Sequence, residues 1–283
     1  MAISPIIEVV DLLKIYKNPD VLIFDVSNSK NAKSNYEQEH LEDAIFIDLN
    51  SQLADINEDL SIGGRHPLPS TASFAKTLTE LGIHPESHVV IYDDNNGSNA
   101  AARFWWMLKS IGHSKVQVLN GGKSEAIKNN FPLSLERTFV KSSVKPYPVN
   151  NWSLPIVDMN FVESVSLNSN YLVIDVRSKE RFDGISEPID LIAGHIPGAM
   201  NFPFIDNLDC DGLFLPSTIL NEKYKLRIGN IPLNKVVVHC GSGVTACHTL
   251  LALAYAGFEI PNLYVGSWSE WSRNNKMIEK TNS

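Results

Sequence analysis

Short apolar runs recur along the chain. VLIF begins at position 21, HVVIYD at 88, KVQVL at 115, YLVIDV at 171 and KVVVHC at 235. Each is four to six residues long and rich in β-branched side chains, the pattern of a strand buried on both faces. Between them lie longer stretches whose apolar positions recur every three or four residues. TASFAKTLTELGI (71–83) and ACHTLLALAYAGF (246–258) are two of these, and each runs into a glycine near its end. That spacing predicts amphipathic helices with a glycine stop. Strands alternating with helices predict the α/β class, with mostly parallel sheets flanked by helices.

The pattern also repeats. VLIFDV (21–26) matches YLVIDV (171–176), and HLEDAIFID (40–48) matches HIPGAMNFP (195–203). HVVIYD (88–93) matches KVVVHC (235–240), and RFWWMLKSIGHSKVQVLNGG (103–122) matches HTLLALAYAGFEIPNLYVGS (248–267). Four blocks in one order read as a duplication into two similar domains. The polar, proline-bearing stretch LSLERTFVKSSVKPYPVNNWSLPIVD (133–158) shows no period and is the expected linker, with an insertion inside one domain as the alternative. The expected division is an N-terminal domain at 1–135, a linker at 136–158 and a C-terminal domain at 159–283.

Composition narrows the function. Of the 283 residues 43% are apolar and 20% charged, with a net charge of −8. An acidic chain offers no surface for tracking phosphates, so nucleic acid is not expected as a partner. No apolar run reaches the roughly 18 residues of a membrane span, and no membrane partner is expected. The first twenty residues lack the basic start of a signal peptide. Three cysteines, Cys210, Cys240 and Cys247, form no CxxC pair. An odd number of cysteines argues against a disulfide framework and fits the cytoplasm. No metal-ligand spacing is present, and no metal or other cofactor is expected.

The chemistry concentrates in KVVVHCGSGVTACHTLLALA (235–254). A buried strand runs into Cys240, a glycine-rich turn follows, and then an apolar helix begins. Glycines let successive N–H groups of Gly241, Ser242, Gly243, Val244 and Thr245 converge on one point, and the helix N-terminus adds positive potential there. A cysteine in that setting is expected to have a lowered pKa and to act as a thiolate nucleophile. A Walker A loop would need Lys-Ser/Thr after its last glycine, where Val244 stands. A cysteine phosphatase would close its loop with an arginine where Ala246 stands, so phosphate would lack its bidentate partner.

CGSGVTAC (240–247) resembles the active-site loop of the rhodanese-like sulfurtransferases, in particular their 3-mercaptopyruvate branch. GHIPGA (194–199), VGSWSEW (265–271), RFWWM (103–107) and LNGG (119–122) resemble further motifs of that family. The resemblance implies two tandem rhodanese-like domains of which only the second is catalytic. Asp93 stands at the position matching Cys240, so the first domain has no nucleophile. It also implies a Cys240 persulfide that receives sulfur from a small donor and passes it to cyanide, a thiol or a reduced carrier protein.

By the same resemblance, Ser242 and His66 belong to a proton relay, and Arg181 meets the carboxylate of the donor. Gly241, Gly243, Val244 and Thr245 line the donor site through their amides. The acid of the relay falls on Asn50, and a second substrate arginine falls near Ile189. Thiosulfate-specific relatives carry basic side chains just after the cysteine, where this chain has Gly241 and Ser242. The expected donor is therefore 3-mercaptopyruvate. A thiosulfate:cyanide sulfurtransferase and a persulfide carrier or redox-sensing interaction protein are the alternatives.

Overall fold

The computed structural model describes residues 3–139, 145–149 and 151–281. Part of the expected linker, 140–144 and 150, lies outside the described residues. The chain forms two compact units. The first holds the chain up to Ala54, Pro69–Ser153 and Cys210–Phe214. The second holds Asp55–Leu68, Leu154–Asp209 and the chain from Leu215 onward.

Seven strands fall in the first unit: β1 (Ile6–Ile7), β2 (Val21–Asp25), β3 (His40–Leu41), β4 (Ala44–Phe46), β5 (His88–Tyr92), β6 (Val116–Leu119) and β7 (Leu133–Ser134). Five of them make a parallel sheet in the order β1-β6-β5-β2-β4, while β3 and β7 pair antiparallel apart from it. The second unit has β8 (Ile156–Val157), β9 (Leu172–Asp175), β10 (Met200–Asn201), β11 (Val236–His239) and β12 (Asn262–Tyr264). These form a second parallel sheet in the order β10-β9-β11-β12-β8.

Each sheet thus has the same plan, with the third and central strand being β5 in one and β11 in the other. β11 is buried along its whole length because both faces of a parallel sheet are covered. The helix after it, Ala246–Tyr255, buries every residue from Ala246 to Leu253, as a helix apolar on all sides must. Its counterpart, Ala100–Ser110, is equally enclosed and includes Trp105 and Trp106.

Matched histidines show the duplication at the level of side chains. His40 shares a hydrogen bond with the carbonyl of Tyr36 (2.7 Å) and stacks on its ring at 3.9 Å between centroids. His195 does the same with Phe182, at 2.7 Å and 3.7 Å. Both imidazoles are buried fasteners between an aromatic ring and the strand-side turn.

The chain leaves β9 for β10 on one side, then returns to lay β11 on the other side of β9. The carboxyl ends of β9 and β11 therefore flank a topological switch point, where open α/β sheets leave a crevice for ligands. Cys240 is the first residue after β11.

Candidate active site

Glycine is required at two positions of the Cys240 loop. Gly243 has φ +72°, and a Cβ there would lie 2.4 Å from the carbonyl oxygen of Val265. A Cβ on Gly241 would lie 2.9 Å from Nη2 of Arg65 and 3.3 Å from Nη2 of Arg181. The first glycine lets the loop turn against the neighbouring strand end, and the second leaves room for two guanidinium groups.

The loop is held from outside by VGSWSEW. Trp268 and Ser269 donate their amides to the carbonyls of Cys240 (3.0 Å) and Gly241 (2.8 Å). The amide of Cys240 donates to Ser267 Oγ (3.2 Å), which in turn donates to the Tyr264 carbonyl (2.8 Å). With its carbonyls taken by this clamp, the loop turns its other amides elsewhere. Among the described residues no acceptor takes the N–H of Gly241, Ser242, Val244 or Thr245. Unpaired amides next to the start of a ten-residue helix form a nest for an anion. Cys240 itself is 2% exposed, so a donor must be small or enter along the loop.

The same clamp fixes the segment carrying His66. Glu270 accepts the amide of Gly63 (2.8 Å), and Ser269 Oγ accepts the amide of Arg65 (3.0 Å). Gly64, at φ +76°, passes so close that a Cβ would lie 2.4 Å from the Gly266 carbonyl oxygen. His66 is thereby set beside the loop, with Nδ1 2.8 Å from Ser242 Oγ. The two residues assigned to a relay from the sequence are in hydrogen-bond contact. Asp48 instead caps the helix Leu49–Gln52, accepting the amide of Ser51 at 2.8 Å.

Charged groups surround this loop in a dense network. Arg181 donates through Nε to both oxygens of Glu187 (3.0 Å each) and through Nη2 to Asp190 (3.1 Å). Burial works against the Glu187 carboxylate, but the Arg181 hydrogen bonds and two backbone amides outweigh it and hold its pKa below the usual value. Asp190, with a side chain 0% exposed, also takes Arg65 Nε (3.0 Å) and Arg273 Nη1 (3.4 Å). Ile189, where a second arginine falls by resemblance, is exposed and contributes only its amide, to Glu187.

Arg177 is fully committed elsewhere. It binds Asp175 (2.6 Å), Glu187 (3.1 Å) and the Gly194 carbonyl (2.7 Å), and its guanidinium lies 4.5 Å from the centre of a Trp268 ring. Burial opposes the charge on Asp175, yet Arg177 and His239 keep its pKa lowered. His239 sits behind the cysteine, fully buried, and burial pushes its pKa down. Trp268 and Trp271 are core residues whose indole N–H groups donate to the carbonyls of Ile192 (2.8 Å) and Met277 (2.9 Å). Cys247 is buried and donates to the Gly243 carbonyl (3.3 Å), while Cys210 is exposed in the first unit.

Arg65, Asp190 and Arg273 are participants that sequence reasoning passed over. The adjacent His66 in RHPLP was the available signal for Arg65. Asp190 and Arg273 carry no local motif, and only the fold assembles them.

Comparison with known proteins agrees with this architecture. The rhodanese-like domain model matches twice, at residues 8–128 and 163–274. A probable 3-mercaptopyruvate sulfurtransferase of Pseudomonas aeruginosa is 38% identical over 261 residues, covering 89% of both chains. A putative thiosulfate sulfurtransferase of Mycobacterium tuberculosis is 37% identical over 248 residues, covering 84% of this chain and 81% of that one. The crystal structure of an Escherichia coli 3-mercaptopyruvate sulfotransferase superposes with a TM-score of 0.78 at 29% identity, covering 95% of this chain and all of the other. With a family match in each half and the same α/β plan in each unit, this chain belongs to the rhodanese family as a tandem-domain sulfurtransferase.

Proposed function

We propose that this protein moves sulfane sulfur from 3-mercaptopyruvate to a thiol acceptor through a persulfide on Cys240. One observation carries the reading: Cys240 ends the central strand at a nest of unpaired amides, with the Ser242–His66 pair on one side and Arg181 on the other. In the first half-reaction the Cys240 thiolate attacks the donor sulfur. An S–S bond forms, the donor C–S bond breaks, and its electron pair passes into the enolate of pyruvate. Protonation of that enolate at carbon releases pyruvate, and Cys240 keeps the outer sulfur. In the second half a thiol, cyanide or reduced carrier protein removes it and restores the thiolate.

The residues divide the work by their chemistry. The amides of Gly241, Ser242, Gly243, Val244 and Thr245 stabilise the anionic sulfur in both states, as preorganised donors do for developing charge. Ser242 and His66 form the proton path to the departing enolate. Arg181 binds and orients the carboxylate. In this reading the chain divides into a non-catalytic domain at 1–135, a connection at 136–158 and a catalytic domain at 159–283, which the segment 55–68 completes.

Three free thiols fit a reducing compartment, and we assign the activity to the cytoplasm. No helix among the described residues is long and apolar enough to cross a membrane.

Thiosulfate is the rival donor, because two guanidinium groups lie close to Gly241 and could meet a dianion. Turnover with the two donors separates the readings. The proposal expects the higher kcat/KM for 3-mercaptopyruvate, and a higher value for thiosulfate would overturn it.

A further inference from the structure

We infer that Arg65 is a specificity-determining residue of the sulfur-donor site, holding the donor carboxylate together with Arg181. The inference rests on the donor being a thiol-bearing 2-oxo acid, and it names a residue contributed by a segment far from the catalytic loop in sequence.

Proximity is the first argument. A single side-chain carbon added at residue 241 would meet Arg65 Nη2 at 2.9 Å and Arg181 Nη2 at 3.3 Å. Two guanidinium groups therefore face the same small space, one residue past the nucleophile. In a three-carbon 2-oxo acid the sulfur and the carboxyl carbon are separated by one C–S and two C–C bonds. That is about the span of one residue of chain, roughly 3.8 Å. A donor with its sulfur at Cys240 thus brings its carboxylate to the space over Gly241.

Charge is the second argument. Four guanidinium groups, those of Arg65, Arg177, Arg181 and Arg273, share three carboxylates, those of Asp175, Glu187 and Asp190. One positive charge is left without a counterion in the cluster. Asp175 belongs to Arg177, and Asp190 is divided among Arg65, Arg181 and Arg273. Arg65 donates Nε and Nη2 to Asp190, whereas its Nη1 meets no acceptor among the described residues. The Nη1 of Arg181 is open in the same way. An incoming carboxylate completes both the charge and the hydrogen bonds.

Preorganisation is the third. Arg65 is fixed at its backbone by Ser269 and at its head by the buried Asp190. Gly64 before it has no room for a side chain. A guanidinium held at both ends loses little freedom on binding a ligand. Asp190 is the positioning residue, because it aims both Arg65 and Arg181. Arg273 shares Asp190 but donates its Nη1 also to the Ser269 carbonyl (2.7 Å) and does not approach Gly241. It is therefore the control.

The test compares two donors that differ only in the carboxylate, 3-mercaptopyruvate and 3-mercapto-2-propanone. The rate of Cys240 persulfide formation is followed by mass for the wild type and for Arg65→Met, Arg65→Lys and Arg273→Met. Arg65→Met should lower kcat/KM for the acid by about 30-fold or more and for the ketone by less than about threefold. Arg65→Lys, which keeps the charge and gives up the planar fork, should fall between. Arg273→Met should move both donors by the same factor.

A variant that fails to fold loses both donors. Arg65→Lys then decides, since absence of a loss selective for the acid overturns the assignment. Equal losses with both donors in Arg65→Met, or an equal change of donor ratio in Arg273→Met, also overturn it. If the wild type forms no persulfide faster with the acid than with the ketone, the 2-oxo-acid reading falls, and Arg65 falls with it. If the wild type discriminates and the Arg65 variants discriminate equally well, only the Arg65 assignment falls.

Discussion

The loops after β5 and β11 occupy the same place in two copies of one fold, and they treat an anion differently. After β5, Asp93 turns its carboxylate back into its own loop and accepts the amides of Asn95 (2.9 Å), Gly97 (2.8 Å), Asn99 (3.1 Å) and Ala101 (3.2 Å). The nest is filled by the chain itself, and Asp93 is 0% exposed. After β11 the matching residue is Cys240, and the amides of Gly241, Ser242, Val244 and Thr245 meet no acceptor among the described residues. The difference teaches that a strand–turn–helix nest wants an anion. One copy supplies it permanently, and the other leaves the place for a sulfur that comes and goes.

The largest expected effect comes from making the second loop like the first. Cys240→Asp should abolish sulfur transfer, a loss of about 10⁴-fold or more, because no nucleophilic sulfur remains. It should nonetheless fold, since the unpaired amides can accept the carboxylate as their counterparts accept Asp93. Urea unfolding checks this, and a large drop in midpoint would break the parallel between the loops.

The next effect is on stability and pH. Burial raises the pKa of Asp93 to about 6 from its ordinary 3.8, against the pull of the four amides. The folded chain therefore binds this proton more tightly than the unfolded chain. The group's contribution is fully favourable below pH 3.8 and declines as pH rises towards 6. A shift of that size corresponds to about 3 kcal/mol. Relative to Asp93→Asn, the wild type should lose about that much unfolding free energy between pH 4 and pH 6. A difference independent of pH would mean that the carboxylate ionises as it does in the unfolded chain.

The smallest effect concerns the clamp, which the first loop obtains from its own aspartate and the second from VGSWSEW. Ser267→Ala removes the acceptor for the Cys240 amide and should cost about 1–2 kcal/mol of stability. It should also lower turnover, by an amount a denaturation curve alone would not reveal. Unchanged stability and turnover would remove Ser267 from the support of the loop.

Much of this contrast is legible in the sequence. The strands ending at Tyr92 and His239 announce themselves as uninterrupted β-branched runs, and the aligned blocks put Asp93 opposite Cys240 before any coordinates are known. The helices at Thr71–Glu80 and Ala246–Tyr255 follow from apolar spacing and their glycine stops. The two-residue strands β1, β3, β7, β8 and β10 are too short to carry a period, and pairing alone defines them. Site residues divide along the same line. Cys240 and its glycines are contiguous, so the sequence displays them. Arg65, Asp190 and Arg273 lie far apart along the chain, and the charge network that joins them exists only after folding. Trp268 and Trp271 have spacing that also suits a cleft wall, and burial shows them to be core.

The central claim is that the open nest holds a sulfur carried by Cys240. The direct measurement is the intact mass of the protein after incubation with 3-mercaptopyruvate and removal of small molecules, followed by mapping of the modified peptide. The account predicts a gain of one sulfur atom on the peptide containing Cys240, its absence in Cys240→Ser, and its loss on adding a thiol. No gain, or a gain that persists in Cys240→Ser on Cys210 or Cys247, would contradict it.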